Sequence, residues 1–459
     1  LLNPASTAAF TLAGNNLNNQ ITGGAGNDRL GFSGGAASLH AGNDTIDGGE
    51  GNDWIRDEQG NNLLRGGTGN GADTIYGDSG NNTIEGGEGA DSIFAGGNAT
   101  NVNSVSGGAG NDTLTGFNGT DTLDGDADND SLNGANGNDQ LFGGEGADTL
   151  DGGRGDDIID GGNGIDRLVF TGATAGVHVD LVAGTATGLG TDSISGIEQV
   201  TGTGFDDALI GSDLANTLDG GAGNDSIDGG NGNDSLIAGT GDDTVLAGAD
   251  NDTVSGGTGN DSIDGGSGND LVFAAAGADV LVGGDGADTL DSNSSGDTIG
   301  DRFIGGEGDD RITGAGGDDT VDGGNGADTI SVGDGADSID GGADNDTINA
   351  SAGNDTVFGG GGADTVSGDA GDDSIDGGDD ADSLAGGHGA NTVLGDGGND
   401  TVTSGDGADS IDGGLGNDSI ASGAGADTAY GRDGNDTIGS TAADTIGDVF
   451  FGEEGNDSL

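Results

Sequence analysis

From Gly220 to Asp297 the chain keeps a nine-residue phase without a slip, and that phase sets what it can fold into. Written in nines the stretch reads GGAGNDSID, GGNGNDSLI, AGTGDDTVL, AGADNDTVS, GGTGNDSID, GGSGNDLVF, AAAGADVLV, GGDGADTLD. An aspartate falls at Asp225, Asp234, Asp243, Asp252, Asp261, Asp270, Asp279, Asp288 and Asp297. Two residues after each comes an aliphatic: Ile227, Leu236, Val245, Val254, Ile263, Val272, Leu281, Leu290 and Ile299. The first six positions hold glycines that take positive φ and bare their carbonyls, so they form a tight turn. The last three form a short β-run, aliphatic inward and Ser/Thr outward.

Two such units, 18 residues, return the chain over itself by one strand spacing of ~4.8 Å. Asp225, Asp243, Asp261, Asp279 and Asp297 then line one edge, and Asp234, Asp252, Asp270 and Asp288 the other. Carboxylates ~4.8 Å apart repel by about 3.5 kcal/mol at an effective dielectric near 20, so a counter-ion must lie between them. Carboxylate and carbonyl oxygens in a flexible loop are hard donors that suit Ca²⁺ and suit small, octahedral Mg²⁺ poorly.

Composition points the same way. The 459 residues include 111 glycines, one proline and no cysteine, methionine or lysine, with 3% aromatics and a net charge of -76. An ordinary core of this size cannot be built from them, and without ligand such a chain reads as disordered. One divalent ion for each repeat aspartate would nearly cancel the charge. A solvated linker shares the composition but has no reason to keep phase. Lack of cysteine means that disulfides do not hold the fold, which suits a bacterial exported protein that folds by metal. The polyanion is expected to have no nucleic-acid partner. No run of 18 apolar residues offers a membrane span, and the opening LLNPASTAAFTLAG lacks the charged region of a signal peptide.

Taken in order, residues 1–18 form an irregular lead-in. Residues 19–166 repeat irregularly at first, with candidate ligands Asp28, Asp44, Asp53, Asp73 and Asp91, then strictly at Asp112, Asp121, Asp130, Asp139, Asp148, Asp157 and Asp166. Residues 167–206 break phase, and the alternation of Val177, Val179 and Leu181 predicts a half-buried strand in a side elaboration. Residues 207–459 resume with Asp207 and the block above, then Asp310, Asp319, Asp328, Asp337, Asp346, Asp355, Asp364, Asp373, Asp382, Asp400, Asp409, Asp418, Asp427 and Asp436. Asn62, Asn82, Asn216 and Asn391 stand in the aspartate place, keeping the turn and losing the charge, so weak or absent metal is expected there. The segment DTIGDRFIGGEGDD after Asp297 returns as DTIGDVFFGEEGND near the end, and the array is expected to continue past Leu459. Stacked throughout, the chain makes about 25 turns and a rod on the order of 120 Å.

The unit GGxGxDxUx, in which U is an aliphatic, closely resembles the repeats-in-toxin (RTX) family of calcium-binding proteins. The resemblance implies an all-β, right-handed parallel β-roll with two nonapeptides per turn, and calcium ions between successive same-side turns at the aspartates named above. It also implies export of the unfolded chain by a one-step bacterial secretion system.

Other motifs carry little. Residues 31–35, GFSGG, match the nucleophile elbow of hydrolases without its strand–elbow–helix context. His40, His178 and His388 form no zinc-like cluster. Leu271, Phe273, Val280 and Val282 should point outward and make an apolar patch suited to self-association. No enzyme is expected. The reading is a structural or adhesive rod at the bacterial surface, self-associating or touching cell-surface polysaccharide. The alternative is the secretion and folding module of an RTX toxin or exoenzyme. An ice-binding ladder is disfavoured, because the outward positions mix Ser, Thr, Asp and aliphatics.

Overall fold

The computed structural model describes residues 7–31, 42–292, 298–440 and 447–459. Strands begin where an aspartate closes a glycine turn: Ser226–Asn231, Ser235–Thr240, Thr244–Ala249 and Thr253–Thr258 each open one residue after Asp225, Asp234, Asp243 and Asp252. In Thr244–Ala249 the side chains alternate, Thr244 and Leu246 exposed and Val245 and Ala247 buried, the period-two signature of a half-buried strand. Among the described residues there is no helix.

The chain forms two units, residues 1–212 with 217–220, and residues 213–216 with 221–459. In the second unit parallel pairing joins strands 18 residues apart, Ser226 to Thr244 to Ser262 on one sheet and Ser235 to Thr253 to Leu271 on the other. Alternate nonapeptides therefore feed opposite sheets, and two of them make one turn of a parallel β-solenoid. Ile227, Leu236, Val245, Val254, Ile263, Val272, Leu281 and Leu290 fill the space between the sheets at 1% exposure or less. The expected ninth member, Ile299, does not join them. It is 49% exposed, and Phe303 pairs with Leu281 and is wholly buried instead. Asp297, expected on the same edge, lies outside the described residues.

Within the first unit Leu114, Leu123, Leu132, Leu141, Leu150, Ile159 and Leu168 make the same inward column. The stretch expected as a side elaboration lies in the sheet itself. Thr191–Ser195 pairs parallel with Ile158–Gly164 and antiparallel with Thr185–Thr187, which pairs antiparallel with His178–Asp180. His178–Asp180 then pairs parallel with Ala208–Ile210, whereas the opposite sheet steps directly from Arg167–Val169 to Gln199–Thr203. Two extra strands are thus spliced into one face, with Val177 and Val179 buried among them.

The outward apolar residues are also placed differently from expectation. Leu271 and Phe273 face out from one sheet and Val280 and Val282 from the other, so they make no single patch. Adjacent nonapeptides alternate between faces, and sequence neighbours are separated by the width of the roll.

Candidate metal centre

Each turn ends on a carboxylate whose two oxygens do different work. Oδ1 accepts a hydrogen bond from the main-chain amide of the aspartate one turn earlier: Asp225 N to Asp243 at 2.7 Å, Asp243 N to Asp261 at 3.0 Å, Asp261 N to Asp279 at 2.7 Å. The other edge repeats this, with Asp234 N to Asp252 at 2.7 Å and Asp252 N to Asp270 at 2.8 Å. In the first unit Asp112 N meets Asp130 and Asp130 N meets Asp148, both at 2.7 Å. Asp28, Asp44, Asp53, Asp73, Asp91 and Asp207 hold the same place, with Asp28 N to Asp53 at 2.6 Å and Val177 N to Asp207 at 2.6 Å.

The second oxygen is the unusual one. Among the described residues Oδ2 of Asp130, Asp243, Asp252, Asp261, Asp270, Asp328 and Asp346 is buried and meets no hydrogen-bond donor. A buried charged oxygen left so is expensive unless it is paired. Burial pushes these carboxyls up, Asp130 to about 8 and Asp270, Asp310, Asp337 and Asp346 to about 7, with neighbouring aspartates adding to the rise. Carbonyls face the same gaps. A Cβ added at Gly265 would fall 2.8 Å from Asp270 Oδ2 and 2.7 Å from the Gly283 carbonyl oxygen, and one at Gly359 would fall 2.6 Å from Asp364 Oδ2 and 2.5 Å from Gly377 O. Glycine at these places keeps a carboxylate and a carbonyl open to one another. At the turn's tip Gly286 takes φ +140°, and a Cβ there would overlap the Gly268 carbonyl, so the tips stack backbone on backbone.

Among the described residues no three acidic or imidazole side chains converge on one point. Any ion held along these edges therefore draws much of its shell from main-chain carbonyls. Such all-oxygen, flexible donor sets are what calcium takes.

The model of the RTX calcium-binding nonapeptide repeat (4 copies) matches residues 11–38, 40–168 and 201–438. The chain belongs to the RTX calcium-binding repeat family. RTX nonapeptide repeats bind Ca²⁺, so the cofactor of this chain is calcium. No curated protein matches it. Among solved structures it is similar to a hyperactive, Ca²⁺-dependent, β-helical antifreeze protein from an Antarctic bacterium, at 17% identity over 81% of this chain and 84% of that one, with a TM-score of 0.15. A repeat-only RTX β-solenoid is a structural fold, not one typical of enzymes, and RTX repeat proteins are typically secreted.

Several members of the RTX edges are not apparent from the nine-residue count. Asp157 N donates to Asp192 Oδ1 at 2.9 Å, Asp166 N to Glu198 Oε2 at 2.9 Å, and Asp279 N to Asp301 Oδ1 at 2.8 Å. Asp427 N and Asp436 N donate to Asp448 and Asp457 at 3.3 and 3.1 Å. The first four follow loops of irregular length, but DSISG, EQVTG, DRFIG and DVFFG all keep an acidic residue, a hydrophobic two places on and a glycine at the fifth. The residue before each aspartate builds a second, exposed ladder, Asp242 N to Asn224 Oδ1 at 3.0 Å and Asn260 N to Asp242 Oδ1 at 2.8 Å. The recurring Asn-Asp pair was its signal.

Asparagine in the aspartate place does more than remove charge. Asn82 keeps the ladder bond, accepting from Asn62 N at 3.0 Å, and its Nδ2 donates to Gly77 O at 2.9 Å. Asn391 accepts from Asp373 N at 3.0 Å and donates to Ser404 O at 3.2 Å. The amide satisfies itself where the carboxylate needs a cation. His388 pairs with Asp406 on the surface at 3.1 Å; His40 lies outside the described residues, as does Ser33 of the GFSGG match.

Proposed function

We propose that the protein is a calcium-dependent structural or adhesive element outside the cell, secreted unfolded and stiffened into β-roll by calcium. One observation carries this reading: both edges of each unit present buried carboxylates with an oxygen that no donor meets, so the aspartate-lined turns depend on ions for order. The ligands we assign are the ladder aspartates that face those gaps, joined by turn carbonyls; at Asp28 and Asp207 the second oxygen already accepts from Gly24 N at 2.8 Å and Thr203 N at 2.6 Å, which leaves them weaker ligands. Sites with the affinity of extracellular modules, ~10⁻⁴–10⁻³ M, stay empty at cytosolic calcium and fill on exit.

The assignment is tested by Asp261→Ala. The change leaves the Asp243 amide without its acceptor and removes a ligand shared with the turns of Asp243 and Asp279. Calcium titration followed by hydrogen exchange is expected to show weakened protection at those turns and nearly normal protection at Asp252 on the opposite edge. Equal loss on both edges would reject ions shared within an edge.

Assembly is the second part of the reading. Phe273, 39% exposed on a strand face, supplies an apolar contact. Light scattering and negative-stain images of the purified chain are expected to show particles growing with millimolar calcium and shrinking for Phe273→Asp. A monomer at every calcium level would remove the polymeric role.

A further inference from the structure

Three asparagines follow one another on a single edge of the first unit. Asn62, Asn82 and Asn103, at 3%, 2% and 1% exposure, occupy consecutive turns between Asp44 and Asp121. Each Oδ1 performs the ladder's usual task, accepting from Asp44 N at 2.9 Å, Asn62 N at 3.0 Å and Asn82 N at 2.9 Å. Each Nδ2 puts a proton where an aspartate would leave a bare oxygen. Asn82 donates to Gly77 O at 2.9 Å, Asn103 to Gly96 O at 3.1 Å and to Asp121 Oδ1 at 2.8 Å, and Asn62 to Gly60 O at 3.4 Å. Between Asn62 and Asp121 this edge stacks no carboxylate on another. Its lower limit is marked by Asp57, a buried acid in a place usually held by glycine, whose carboxyl faces that of Asp44.

The same turns carry contacts of other kinds. Of the chain's 12 phenylalanines, two tyrosines and one tryptophan, four stand in one outward row here. Trp54 meets Tyr76 at 5.9 Å between ring centroids, Tyr76 stacks on Phe94 at 4.8 Å, and Phe94 meets Phe117 at 6.3 Å. The Arg29 guanidinium covers the far end, 4.7 Å above Trp54. Arg56 binds Asp78 and Arg65 binds Glu85, both at 2.7 Å across one turn. Aromatic stacking adds contacts between turns that need no bound metal, and the two half-exposed ion pairs add a little more. Asn391 in the second unit, by contrast, has Asp373 below and Asp409 above.

We propose that residues 62–121 are a calcium-sparing nucleus, a stretch that orders at lower calcium than the rest and gives later turns a template to stack on. The proposal rests on the reading that carboxylate edges need ions. The opposite edge of these turns keeps Asp53, Asp73, Asp91 and Asp112, so the demand for calcium is reduced, not abolished. Nearest-neighbour stacking makes such a template effective, because each new turn needs only one formed turn beneath it.

Hydrogen exchange read by mass spectrometry on the full chain, titrated from chelator to millimolar calcium, tests it. Peptides in 62–121 are expected to gain protection at several-fold lower free calcium than those in 225–291, where both edges are aspartate. Asn82→Asp is expected to move the first block's midpoint up toward the second's and leave the second unchanged. If that variant does not fold, the converse one decides: Asp234→Asn with Asp252→Asn and Asp270→Asn should lower the midpoint of 225–291. Coincident midpoints in the unaltered chain, or a raised midpoint in the triple variant, overturn the nucleus while leaving calcium-dependent folding intact. Full protection of both blocks in chelator overturns the two together.

Discussion

In calcium-free buffer at pH 8 the protein is expected to give the far-ultraviolet circular dichroism of a coil, and millimolar calcium is expected to restore a β spectrum over nearly the whole chain. The expectation follows from what each turn contains. Its two inward aliphatics, such as Val245 and Val254, contribute roughly 3–6 kcal/mol on burial. Its two carboxylate contacts, one per edge, oppose the stack by about 7 kcal/mol at an effective dielectric near 20. Burial and repulsion nearly cancel before any conformational entropy is counted, and entropy opposes order at every residue. Calcium reverses the sign of the edge contribution, turning a column of like charges into alternating charge. A β spectrum that persists in chelator at pH 8 would refute this account of what holds the roll.

Acid is expected to replace part of the calcium. Asp130 is pushed up to about 8 by burial, and Asp53, Asp234, Asp270, Asp337 and Asp382 to about 7, from an ordinary 3.8. Between those values the folded chain binds protons that the unfolded chain does not. The calcium-free fold therefore gains stability as pH falls from about 8, and the gain is complete only below the unfolded value near 4. Circular dichroism in resin-stripped buffer should show β content rising from pH 8 to pH 5. Protons and calcium compete for the same oxygens, so the calcium-induced change should be smaller at pH 5 and need more ion. A calcium-free spectrum that is flat over this range, or more coil-like at pH 5, would contradict the sign.

Much of this was legible in the residues. The 18-residue turn, the inward aliphatics and the split of aspartates between two edges follow from period two inside period nine, and the pairing of Ser226 with Thr244 and Ser262 shows them directly. The re-entry points were not legible to a strict count. Asp301 takes the place expected of Asp297, and Phe303 that of Ile299, because the ladder selects an acid followed by a hydrophobic and a glycine, whatever the distance travelled. Asn103 was missed for the same reason, since it stands 21 residues after Asn82. The self-satisfied amides were invisible because they depend on carbonyls such as Gly77 O, whose direction is set by the stack. The expected single apolar patch overlooked a consequence of that same period: Phe273 and Val282 stand nine residues apart and so occupy opposite faces.

The edge bonds close over sequence separations of 18, 20, 21, 22, 25, 32 and 35 residues, each from a main-chain amide to a side-chain oxygen, Oδ1 of aspartate or asparagine in all but the 32-residue case, where Glu198 Oε2 accepts. Register is thus decided at the point of return, and the residues in excess of the basic 18 are where length varies. A foreign peptide spliced into such a corner would be carried at a known height along the column, and two of them at an interval set by how many windings separate their hosts. The architecture is in that sense a graduated scaffold, on which new recognition could be added by insertion without redesigning what bears the load.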